Sequence, residues 1–459
     1  MMKGALLHKS LFTSPRVGEV FATRRVRGVF QPKAPLIRPS GTFSHKGRRI
    51  KIDLCNNVPQ GEENTMQDNS IVITSIARTP QGNMLGALKD VSGTALGTCA
   101  IQAAVKRSNL TPQDIQEVLM GCVLPAGQGQ APARQAALNA GLSANTPCTT
   151  VNKVCGSGMK TIMMAHDALM VNNGGIFIAG GMENMTNAPY LLLKGRQGYR
   201  FGQSQLFDHM TLDGLEDAYD KGRAMGTFAE ACAKEYGFSR ADQDQFAIAS
   251  LERAQKAIRD GSFAAEITPV IIKTRQGDQV VDTDEHPGSV KIEKVSSLPP
   301  AFAKDGTVTA ANSSSIADGA AAVVLMSLQD AEKRSIKPIA RIIGHSAYAK
   351  TPEQFTTAPI DAIRKLMDKI HWTVKDVDLF EINEAFAVVV LAAMRDLKIP
   401  HEKVNIHGGG CALGHPIGAT GARITVTLLA ALQKYGLKRG IASLCIGGGE
   451  ATAIAVELL

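Results

Sequence analysis

Apolar residues fall into two kinds of run along this chain. Short, nearly continuous runs rich in Val, Ile and Leu mark strands buried on both faces. They occur at Ile71 to Ile76, Val118 to Val123, Ile176 to Ala179, Ala320 to Met326, Ile339 to Gly344, Val377 to Ile382, Val404 to His407 and Ile441 to Ile446. Between them, apolar residues at helical spacing predict helices at Leu96 to Val105, after Pro132, at Met159 to Leu169, Ile360 to Ile370, Ala385 to Leu397 and Ile417 to Leu432. Thr111 and Pro112 read as the N-cap and first residue of a further helix. Ser239, with Asp242 three residues on, opens a helix running from Arg240 to Asp260.

The strand and helix grammar runs through the chain twice. Cys155 and His415 sit in comparable strand-to-helix turns 260 residues apart, and the glycine-ended strands at Gly180 and Gly447 lie 267 apart. Two similar α/β halves follow, residues 69–336 and 337–459. The first contains an insertion at about 189–305, with charged, aromatic and glycine-rich loops, which we place over the active face. Residues 1–68 stand apart as an arm.

Charge sharpens that division. The chain carries +8, but Met1 to Asp53 alone has twelve Lys or Arg against Glu19 and Asp53, a local excess of ten. The remainder carries −2, so nothing in the folded body favours nucleic acid. The arm is rich in Arg and Ser, poor in acids and without a continuous apolar segment. It fits an organellar transit peptide, mitochondrial first and plastid-type second; a basic tail with no targeting role is the competing reading. The longest apolar run, Ala385 to Met394, is too short to cross a bilayer, which takes about 20 residues. None of the eight cysteines forms a C-x-x-C pair, and reduced thiols are expected.

Four stretches offer chemistry. Cys155, in VNKVCGSGMK, precedes a helix N-terminus, where unpaired N–H groups favour a thiolate; a cysteine in apolar surroundings is otherwise a small buried hydrophobe. Asn383 lies at a strand end in NEAF, His415 in the turn Gly414-His415-Pro416, and Cys445 before Gly447-Gly448-Gly449. Each has a plainer reading: Asn383 a helix cap, His415 a turn residue, Cys445 core. In α/β sheets ligands bind beyond the carboxyl ends of strands, so the four turns can converge. Together they suit acyl transfer. His415 would take the proton of Cys155, which attacks a thioester, while Cys445 moves a proton at an α-carbon. N–H groups of Cys155 and Gly447 would hold one oxyanion, and His415 with a water on Asn383 the other. Met182 to Met185 reads as packing.

These motifs, with AGGMENM from Ala179, GTVTAANSS from Gly306, GHPIGATGARI from Gly414 and CIGGG from Cys445, resemble the thiolase family from about Ile71 to Leu459. The resemblance implies a five-layered αβαβα fold whose loop domain covers a coenzyme A site. It implies Cys155 as the acylated residue, His415 as its base, Cys445 as the acid/base of a Claisen step and Asn383 as holder of the oxyanion water. Thr186 to Tyr190, Asp213 to Tyr219 and Ala310-Ala311 resemble the mitochondrial branch that interconverts acetyl-CoA and acetoacetyl-CoA, which needs no redox cofactor. Coenzyme A contacts are then expected at Tyr219, Val290, Lys294 and Ser314, a potassium site at Tyr219, Ala310 and Ala311, and assembly as a homodimer or homotetramer. His407, Ser315 and Glu450 depart from many relatives, and Phe355-Thr356 replaces a Phe-Pro pair tied to branched substrates. A decarboxylating ketoacyl synthase lacks the second thiol, and a non-catalytic acyl-CoA-binding or lipid-binding relative would tolerate its loss.

Overall fold

The computed structural model describes residues 70–171 and 175–459; the predicted arm lies outside them. The first half runs β1 (Ile71–Arg78), α1 (Gly93–Arg107), β2 (Glu117–Gly121), α2 (Pro132–Asn139), β3 (Cys148–Val151), α3 (Ser157–Val171) and β4 (Ile176–Asn184). The insertion follows, with α4 (Met225–Tyr236) and α5 (Arg240–Arg259), and β5 (Ala317–Ser327) returns to the sheet. The second half runs β6 (Ala340–Ala349), α6 (Ala358–Ile370), β7 (Leu379–Ile382), α7 (Ala387–Leu397), α8 (Thr420–Tyr435), β8 (Arg439–Ile446) and β9 (Glu450–Leu458).

The strands lie in the order β7-β8-β9-β6-β1-β5-β4-β2-β3. Read outward from the β1–β6 junction, both wings repeat one pattern: two antiparallel pairings, then parallel ones. The junction is short, with Val72 opposite Arg341 and Ile73 opposite Ala340.

Alternate residues of each strand feed different cores, the expected result of period-two side chains buried on both faces. In β2, Val118 and Met120 join α1 and α2 in one apolar cluster. Leu119 faces the other way, into a cluster with α3 and α8. In the second wing, α6 and α7 cover the outer face. The layers are therefore α1/α2, sheet, α3/α8, sheet, α6/α7. The middle helices touch closely because Gly158 and Gly421 lack side chains: a Cβ on Gly421 would stand 2.3 Å from Met159 N, and one on Gly158 2.7 Å from Ala422 N.

Two predicted elements are corrected. Thr111 and Pro112 open only a single 3₁₀ turn, Pro112–Asp114. The Asp114 carboxylate accepts from Thr111 N (2.8 Å), closing the turn on itself before the chain extends into β2. Val404 to His407 is not a strand. Val404 makes one parallel bridge to Phe380, at the place corresponding to β3 in the first half. Then Asn405 turns to φ +48°, and its side-chain amide replaces the backbone ladder, accepting from Ile382 N and donating to Ile382 O, both at 2.8 Å. The strand β9, helix α4 and the hairpin Val270–Thr274/Gly277–Val281 were not anticipated.

Candidate active site

The turn before α3 carries Cys155. The left-handed backbone angle falls on Val154 (φ +44°), not on the glycines. A β-branched residue there costs about 1–3 kcal/mol and persists only when its surroundings impose it. Here Asn152 Oδ1 accepts from Val154 N (2.9 Å) and Ser157 Oγ donates to Val154 O (2.7 Å) while accepting from Lys153 N (2.8 Å). Gly156 answers a different need, since a Cβ would lie 2.4 Å from Ile446 Cδ1. The nucleophile turn is thereby pressed against the end of β8, beside Cys445.

Burial pushes the Cys155 thiol up to about 11, opposed by the N–H groups of Gly447 and of Cys155 itself, which face the sulfur. Desolvation outweighs these N–H groups, so proton removal needs a base. Cys445 is buried, and burial, then the neighbouring Cys155, raises its pKa well above the ordinary thiol range. The seven cysteines among the described residues are all free.

His415 is buried, which lowers its pKa to about 3, so the ring is neutral. Its tautomer follows from Thr420. That hydroxyl donates its single proton to Pro416 O (2.9 Å) and must accept from His415 Nδ1 at 2.6 Å. Nδ1 then carries the proton, leaving a bare lone pair on Nε2, which has no hydrogen-bond partner among the described residues. Asn383, also buried, has neither amide atom paired. Asn383 N donates to Ser443 O (3.0 Å), fixing it beside the end of β8. Buried polar groups left bare at a strand end are the expected signature of groups waiting for substrate or water. Thr420→Val should lower kcat by about 10–100-fold with little change in KM, because the ring loses its orienting partner; Thr420→Ser should restore the rate. A matching rise in KM, or no rescue, would show a packing role only.

Glu384 carries no sequence signal that sets it apart from its neighbours. It is buried and accepts from Ser250 Oγ (2.7 Å), Asn405 Nδ2 (2.8 Å) and Cys411 N (3.0 Å), tying α5 and the 405–411 turn to the strand end that bears Asn383. Glu183, within the segment read as packing, does the same in the first half, accepting from the N–H groups of Val123 (2.9 Å), Leu124 (3.1 Å) and Gly418 (2.9 Å). Burial raises its pKa to about 7. Glu450 pairs with Lys153, linking the β8–β9 turn to the nucleophile turn. His407 packs edge-on against Phe263 and 3.3 Å from the Tyr435 hydroxyl. Ser315 O accepts from His415 N (3.0 Å). Phe355 is buried and stacks edge-to-face with Phe228 and Phe386.

The expected coenzyme A contacts are more scattered. Val290, Ala310 and Ala311 share an apolar cavity of about 150 Å³ with Leu251, His286 and Cys411. Ser314 is half-buried and donates its N–H to Ala385 O (3.0 Å), next to Asn383. Lys294 is exposed on a 3₁₀ turn. Tyr219 is 76% exposed. The insertion does reach the site, since a side chain on Gly447 would meet Met225 Sδ of α4 at 3.6 Å.

Comparison with known proteins agrees with this arrangement. Residues 71–329 match the thiolase N-terminal domain and residues 336–458 the thiolase C-terminal domain. The chain is 46% identical to an acetyl-CoA acetyltransferase of Cupriavidus necator, over 84% of this chain and 99% of that protein. It is 47% identical to a mitochondrial acetyl-CoA acetyltransferase of Rattus norvegicus, over 85% and 92% respectively. A crystal structure of the Bacillus anthracis acetyl-CoA acetyltransferase superposes with a TM-score of 0.83 at 41% identity, covering 85% of this chain and 99% of that one. Two repeated α/β wings, two thiols meeting at the ends of their strands and domain matches across both halves fit together in one way: this chain belongs to the thiolase family.

Proposed function

We propose that the protein is an acetyl-CoA acetyltransferase, catalysing the reversible Claisen condensation of two acetyl-CoA to acetoacetyl-CoA and coenzyme A. The observation that carries this reading is the meeting of two free thiols, Cys155 and Cys445, at ends of the sheet that also bear the unpaired Asn383 amide. His415 Nε2 takes the proton of Cys155, whose sulfur attacks acetyl-CoA; coenzyme A leaves with that proton and the acetyl group stays on Cys155. Cys445, ionised by passing its proton to His415 once coenzyme A has left, then removes an α-proton from a second acetyl-CoA; the resulting carbanion attacks the acetyl group and releases Cys155, which takes the proton back from His415. Cys155 N–H and Gly447 N–H serve the first oxyanion, and His415 with a water on Asn383 serves the enolate. A decarboxylating synthase would have no use for Cys445. The test is to supply acetoacetyl-CoA and free coenzyme A and to follow acetyl-CoA formation; a folded protein that does not turn over overturns the reading.

The narrow apolar cavity around Val290, Ala310 and Ala311 supports a pantetheine path there, with Ser314 at its inner side and Lys294 and Tyr219 toward the nucleotide. An all-oxygen set, the Tyr219 hydroxyl and the Ala310 and Ala311 carbonyls, fits a hard monovalent cation. The buried Asp217 Oδ1, two residues before Tyr219, is unpartnered and favours a cation at this loop. Potassium there predicts faster turnover in potassium than in sodium salts of equal strength. Exposed Tyr190, Leu193, Phe201 and Leu206 support assembly as a homodimer or homotetramer, to be read by light scattering. Mitochondrial targeting by residues 1–68 rests on composition and is tested by fusing them to a fluorescent protein. The division into halves at 69–336 and 337–459, with the insertion at 189–305, is part of the same reading.

A further inference from the structure

Away from the thiols, three metal-ligating side chains converge where the two halves meet. His166 and Asp167 lie on α3 of the first half, and His345 on β6, the first strand of the second. Asp167 Oδ1 stands 2.8 Å from His345 Nε2 and 3.3 Å from His166 Nδ1. One donor atom from each lies within 4.8 Å of the other two. The imidazoles are 5.0 Å apart, edge to face. Both His side chains are largely covered (15% and 12% exposed), whereas that of Asp167 is open to solvent at 58%.

We propose that His166, Asp167 and His345 form a binding site for a divalent transition-metal ion of the zinc class. In a tetrahedral site with bonds near 2.0–2.1 Å, donor atoms stand about 3.3 Å apart, close to the spacing of the Asp167 and His166 donors. Two imidazoles and one carboxylate exclude calcium and magnesium as preferred occupants and suit zinc, cobalt or nickel. The open side at Asp167 leaves the fourth position to water. Lys369, whose Nζ lies 3.4 Å from His345 O, opposes the ion's charge, and the Asp167 carboxylate offsets it. Because the ligands come from both halves, a metal bound only by the folded protein would hold the wings together and raise their resistance to unfolding.

Cobalt(II) added to the purified full chain separates this site from the catalytic thiols. Occupancy should give ligand-field bands without thiolate-to-cobalt charge transfer and saturate at a single equivalent. His345→Ala and Asp167→Asn should each weaken binding by at least about 100-fold while leaving thiolysis unchanged. Zinc should raise the midpoint of thermal unfolding of the wild type and not of His345→Ala. His166→Ala, which leaves the Asp167–His345 contact in place, provides a second test should His345→Ala fail to fold. Equal binding by wild type and variants, a spectrum dominated by thiolate charge transfer, or no saturation below about 1 mM would overturn the proposal.

Discussion

Cys155→Ala should form no acetyl adduct with acetyl-CoA and should lose thiolysis by at least about 10⁴-fold, the scale expected when a covalent nucleophile is removed. Cys445→Ala should behave differently. It should still acquire an acetyl group on Cys155, seen by intact-protein mass spectrometry, yet neither condense nor cleave carbon chains at a measurable rate. The split follows from the surroundings of the two thiols. Cys155 is half-buried at a turn, with two N–H groups facing its sulfur. Cys445 is buried, and desolvation together with Cys155 keeps it protonated, so it is suited to hand a proton to the carbanion left by carbon–carbon cleavage. Persistent labelling in Cys155→Ala, or turnover by Cys445→Ala within tenfold of wild type, would reverse the assignments.

A pH profile adds an independent check. Burial lowers His415 to about 3, so its base form survives well below the range where an ordinary imidazole protonates, about 6.5. A group with a lowered pKa loses its proton-accepting form only when pH falls through the lowered value. Acetylation of Cys155 should therefore hold its rate between about pH 7.5 and 6. An inflection near 6.5 that disappears in His415→Gln would contradict a neutral, desolvated base.

Strands buried on both faces were readable because a short continuous apolar run bounded by turn residues fits little else in a chain of this size. β9 went unread although the repeat itself asks for it: β5 closes the first wing, and the second needs a counterpart after β8. Glu450-Ala451-Thr452 begins it with a charge and small residues, which hid the run. Val404 failed as a strand for a local reason, the Asn405 side chain standing in for a ladder. At the site, residue types were legible and geometry was not. Before Cys155 the strain sits on Val154 rather than on a glycine, imposed by Asn152 and Ser157. The His415 tautomer depends on Thr420, five residues on and visible only once the helix is formed.

Glu384→Gln should lower stability by about 3 kcal/mol and reduce turnover more than its distance from the thiols would indicate. Its oxygens receive only donors. Ser250 Oγ accepts from Gly409 N (3.0 Å) and so gives its own proton to Glu384; Asn405 is oriented by Ile382, leaving an N–H for Glu384; Cys411 offers its backbone N–H. A glutamine of the same shape would turn an NH₂ toward at least one of these donors. Each buried donor left unmet costs about 1–3 kcal/mol, more where the lost partner carried charge. The three donors come from α5 and the turn leading to Gly414 and His415, while the carboxylate sits next to Asn383. Loosening it therefore moves the histidine and the asparagine relative to each other, and a misplacement of about 1 Å is worth roughly 100-fold in rate. Denaturant unfolding and steady-state thiolysis on the same sample separate the two effects. Full kcat with reduced stability would confine Glu384 to the fold, whereas a lowered kcat in protein still folded at the assay temperature would make it the residue that sets the spacing of the enolate-binding pair.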